Sequence, residues 1–91
     1  MRAMQVTAYD TPLVLQDIDF PKINEGDVLV QIDACGMNFG DTLMIKGTYQ
    51  EKPSLPFTIG MELAGTITQV GAGVTHLKVG QRIAAYAGTG G

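Results

Sequence analysis

The sequence predicts a mostly β domain, a small sheet system curling into a partly open barrel with one short helix. Three observations carry that reading. Short segments rich in β-branched and alternating apolar residues recur along the chain. Glycine and proline punctuate the gaps between them. A single segment, 39–46, has the composition and flanking caps of a helix.

Met1 to Ala8 reads as a first strand and Leu13 to Ile18 as a second. The Asp- and Pro-containing link at Tyr9–Pro12 suits a hairpin. Asn24-Glu25-Gly26-Asp27 is turn chemistry. Asp27 to Cys35 then alternates cleanly, with Val28, Val30, Ile32 and Ala34 expected on one half-buried face. Asn38 is a good N-cap, Asp41 places a carboxylate in the first helical turn, and Lys46-Gly47 suits a C-terminus. The stretch from Tyr49 to Phe57, with Pro53 and Pro56, should be an irregular loop. Ile59 to Val70 reads as one long strand, in which Gly60 and Gly65 signal a bulge or a close backbone approach. Gly71-Ala72-Gly73 is a turn, and Val79 to Tyr86 is the last strand.

At 91 residues there is room for one domain. The net charge of −3 and the scattered basic residues argue against a nucleic-acid or anionic-membrane footprint. No apolar run approaches the ~20 residues of a spanning helix. The lone Cys35 cannot form an internal disulfide, and the N-terminus lacks a secretion signal. A reducing cytoplasm is therefore the expected setting.

Four frames appear in order: Glu25-Gly26-Asp27-Val28-Leu29-Val30; Gly36-Met37-Asn38-Phe39-Gly40-Asp41; Gly60-Met61-Glu62-Leu63-Ala64-Gly65-Thr66-Ile67; and Val70-Gly71-Ala72-Gly73-Val74 with Val79-Gly80-Gln81-Arg82-Ile83. Together they resemble the N-terminal GroES-like domain of the medium-chain dehydrogenase/reductase family. The likeness is to its zinc-free, zeta-crystallin-like quinone oxidoreductase branch. Where zinc members of that family carry a ligand cysteine, this chain has Asn38. Where they carry a ligand histidine, it has Met61. Amide and thioether are poor zinc ligands beside thiolate and imidazole, so no metal site is expected. Gln81 replaces the family's usual Asp, and Leu43 stands where some quinone reductases have a tyrosine.

The resemblance implies hydride transfer from NADPH to a quinone or conjugated enone, an acceptor electrophilic enough to react without a Lewis acid. It implies that Asn38 and Tyr49 lie near nicotinamide and substrate, with Asp41 beside them in support. It also implies a nucleotide-binding Rossmann domain that this chain does not contain, so residues 1–91 are expected to be inactive alone. The plainer roles stay open. Asn38 can simply cap the helix, Tyr49 can be a loop aromatic, and Asp41 a first-turn acid. Met61 is expected to pack, Cys35 to be a small buried hydrophobe, and His76 to lie on the surface. The alternative function is a stand-alone, non-enzymatic GroES-like binding module that self-associates through its edge strands.

Overall fold

The computed structural model describes residues 1–91. Its elements are β1 (Arg2–Val6), β2 (Val14–Asp17), β3 (Val28–Ala34), α1 (Phe39–Lys46), β4 (Phe57–Thr58), β5 (Glu62–Val70) and β6 (Arg82–Tyr86). They form two three-stranded antiparallel sheets, ordered β2-β1-β4 and β3-β5-β6. The sheets do not close on each other, so the partly open barrel stands.

The expected hairpin forms, with Arg2 opposite Asp17 and Gln5 opposite Val14. Its link reaches across to the helix, where the Asp10 N–H donates to the Ile45 carbonyl at 2.7 Å. The helix has the predicted limits. Gly47 takes the left-handed conformation at φ 76°, and the N–H groups of Gly47 and Thr48 return to the carbonyls of Met44 and Leu43. That closes the orphan acceptors of the last turn. Met44, 2% exposed, drives the inner face of α1 into a cluster of Val6, Phe57, Ile59 and Met61. Only 11 of 91 residues are buried, so this cluster carries most of the packing energy. Ile67, 1% exposed, is the buried centre of the other sheet.

Three expectations need correction. The long strand from Ile59 is interrupted. Phe57–Thr58 pair with β1, the Ile59 N–H still reaches the Met4 carbonyl, and β5 begins only at Glu62. Between them the chain crosses from one sheet to the other at Gly60, whose φ of 117° is closed to ordinary side chains. The loop after Tyr49 accordingly ends in the buried Phe57 of a short strand.

The alternation of β3 is also broken. Its register against β5 shifts between Leu29 and Val30 and again between Ile32 and Ala34. At the first shift one step of β3 spans two of β5, so the extra residue is Thr68 on β5; at the second, Asp33 is the extra residue on β3. The bulge at Asp33 takes Ala34 off the face of Ile32, which the sequence pattern had joined. Finally, β6 is shorter than expected. Val79–Gln81 are spent on a turn in which the Gln81 side-chain oxygen accepts from the Lys78 N–H at 2.8 Å. That bond assigns Gln81 to the turn and not to the strand.

Candidate functional site

The site grows out of the junction between β3 and α1. The bulge of β3 at Asp33 precedes Cys35-Gly36-Met37-Asn38, which leads into the helix. Asn38 is the N-cap, with extended backbone (φ −118°, ψ 160°), and it faces Asp41 as a capping box. The firm arm of that box is the Asp41 carboxylate, whose Oδ2 accepts from the Asn38 N–H at 2.8 Å. The Asp41 N–H donates to the Asn38 main-chain carbonyl at 3.0 Å. The Asn38 side chain is thus the looser arm and is exposed, while Asp41 is 2% exposed. Asp41 Oδ1 is buried without a hydrogen-bond partner.

Close approaches explain why this turn is rich in glycine. A methyl at Gly40 would strike the Met61 Cε, with Met61 Sδ at 3.0 Å and Tyr49 Cε1 at 3.2 Å. A methyl at Gly36 would strike a Glu62 carboxylate oxygen. Tyr49, half-buried, packs on the core cluster beside Ile45. All three site residues named from the sequence therefore gather around the head of α1, with Asp41 buried beneath and Asn38 outermost.

Met61 is 4% exposed and belongs to the apolar cluster, the packing role expected of it. No three His, Cys, Asp or Glu side chains come together closely enough to hold a metal ion. His76 is on the surface. Cys35 corrects its expectation, being half-buried rather than buried. Burial pushes its thiol pKa up from the ordinary value, and the negative charges of Asp41 and Glu62 push it further; only the Glu62 backbone opposes them.

Two further residues join the site. Glu62 opens β5 with its carboxylate over Gly36, and Tyr86 ends β6 directly opposite Glu62. Together with Gly36, Ala34, Ala64 and Ala84 they line a cleft of ≈ 550 Å³. Neither residue carries a motif of its own. The only sequence signal for Glu62 is its place after Gly60-Met61, and for Tyr86 there is none.

A model of the alcohol dehydrogenase GroES-like domain matches residues 24–91. The chain belongs to that family. Over 82 residues it is 43% identical to quinone oxidoreductase-like protein 2 of Rattus norvegicus, covering 90% of this chain and 23% of that protein. It is 45% identical over 83 residues to an alcohol dehydrogenase of Geobacillus stearothermophilus, covering 91% of this chain and 25% of the relative. The quinone oxidoreductase of Thermus thermophilus, solved also in complex with NADPH, superimposes with a TM-score of 0.83 at 34% identity, covering 100% of this chain and 27% of that one. The GroES-like domain thus spans about a quarter of the length of these relatives. It is a GroES-like domain of the medium-chain dehydrogenase/reductase family, similar to parts of quinone oxidoreductases and alcohol dehydrogenases alike. No helix is long and apolar enough to cross a membrane.

Proposed function

We propose that residues 1–91 are the substrate-side part of a zinc-independent, NADPH-dependent oxidoreductase that reduces quinones or conjugated enones. A nucleotide-binding domain elsewhere in the protein holds most of the cofactor. The observation that carries the metal-free reading is the packing of Met61. The position that corresponds to a zinc-binding histidine holds a thioether turned into the core cluster and pressed against Gly40. Asn38, at the other ligand position, offers a neutral amide. This donor set does not fit zinc.

The same residues suit a neutral, electrophilic acceptor. Bound nicotinamide supplies the hydride. Asn38 has an exposed amide two residues beyond the cleft-lining Gly36, on a backbone held by Asp41, and can donate to the acceptor oxygen as charge develops there. Tyr49, whose ring lies against Gly40, is the second donor in this reading. The turn contributes by holding the Asn38 backbone, which keeps the amide within reach of the acceptor while its side chain turns to it. A cytoplasmic setting agrees with the single unpaired Cys35.

The test is quinone reduction by the whole protein with NADPH after dialysis against a strong chelator. Full activity is expected. Loss of activity on chelation, restored by zinc, overturns the proposal.

A further inference from the structure

Tyr86 is 71% exposed at the end of β6, so burial does not hold its ring in place. The antiparallel register places it, opposite Glu62. On the same face of the sheet, Ala84 stands opposite Ala64, and Ala64 opposite Ala34. A floor one methyl deep therefore crosses three strands. Tyr86 and Glu62 rise at its end, and Gly36 lies beside them.

A methyl floor presents no obstacle to a flat ring, and the exposed face of Tyr86 is the only aromatic surface lining the cleft. The cleft volume lies within the ~300–1,000 Å³ range of small-molecule sites. The phenol is also kept neutral. Ionisation of Tyr86 is opposed first by Tyr49, then by desolvation, and further by Glu51 and Asp41. A neutral hydroxyl remains a donor beside an acceptor that gains negative charge.

We infer that Tyr86 is a substrate-contact residue whose ring stacks on a flat aromatic acceptor, biasing the site toward aromatic quinones over aliphatic enones. This rests on the oxidoreductase reading above and adds to it the residue that selects between acceptor classes. Aromatic pairs contribute beyond simple area burial, enough for a preference of about 2- to 10-fold.

The experiment uses the whole protein with NADPH and two acceptors, 1,4-naphthoquinone and but-3-en-2-one. Tyr86→Leu keeps the bulk without the aromatic face, Tyr86→Ala removes both, and Tyr86→Phe keeps the ring. The readout is the ratio of KM for naphthoquinone to KM for butenone. The Leu and Ala variants are expected to raise that ratio about 3- to 10-fold, and Phe to raise it less than either. Butenone turnover by the variants certifies that they are folded. An unchanged ratio in both Leu and Ala variants overturns the inference. If the wild type reduces neither acceptor, the oxidoreductase reading fails. Calorimetric binding of naphthoquinone then decides the Tyr86 contact, supported by weaker binding to Tyr86→Leu and overturned by equal binding.

Discussion

The Asp41 carboxylate holds Asn38 at the head of the helix through one 2.8 Å hydrogen bond, from the Asn38 N–H to Asp41 Oδ2. Because Asp41 is buried, its removal leaves a backbone donor unpaired in a thinly packed domain. Asp41→Ala should destabilise the fold by about 1–3 kcal/mol. Asp41→Asn, which keeps an acceptor oxygen, should cost less. Urea denaturation of the two variants against wild type measures this, and equal midpoints for all three would contradict the capping role.

Asn38→Ala separates stability from chemistry. The Asn38 side chain is exposed and forms the looser arm of the cap, so the loss in stability should be at most ~1 kcal/mol. In the whole protein, quinone reduction should fall about 10²- to 10³-fold in kcat, the range for deleting an oxyanion donor. A near-normal kcat would remove Asn38 from the chemistry and leave it a cap alone.

Gly60→Ala should be costly for two independent reasons. Its φ of 117° strains any L side chain, and the added carbon would lie 2.7 Å from Cys35 Sγ. A loss of about 1–3 kcal/mol or more is expected, seen as a lowered denaturation midpoint. Gly26→Ala shares the positive φ but meets nothing within 4 Å, and should lose less.

The raised Cys35 pKa has a definite sign. The folded state favours the neutral thiol, so the associated stability is fully present below the pKa of the unfolded chain. It is lost as pH climbs through the higher folded value. Iodoacetamide alkylation, which reads the thiolate, should have its pH midpoint higher in the native protein than in urea. Coincident midpoints would show that burial, Asp41 and Glu62 do not act on the sulfur.

Phe20, Met37, Phe39 and Tyr86 are all at least 67% exposed. The isolated 91-residue chain should therefore melt at a temperature that depends on its concentration. A discrete, stable oligomer would favour the self-associating module. Non-specific aggregation would favour a surface that other parts of a longer protein cover.

The helix was legible in full because its signals are local: an Asn cap, an acid three residues on, and a glycine past the last turn. The capping turn was legible for the same reason, since Asn38 and Asp41 lie three positions apart. What escaped was set by partners distant in sequence. Alternation in β3 is a local pattern, but its bulge at Asp33 arises in the register with β5. The break before Glu62 follows from Gly60 having to carry the chain between sheets. Tyr86 meets Glu62 only because β6 pairs with β5, a relationship across 24 positions (86 − 62) that no spacing rule encodes.

The bulge in β3 makes the site depend on residue count as much as on residue type. Asp33 is the extra residue there, absorbed without a partner of its own on β5. Deleting it would restore simple alternation and turn everything downstream through half a pleat, carrying Cys35, Asn38 and the helix head to the wrong side of the sheet. Point substitutions at this exposed position should be well tolerated, whereas a one-residue deletion should abolish the cleft. In a library of variants, the segment would behave as a length ruler.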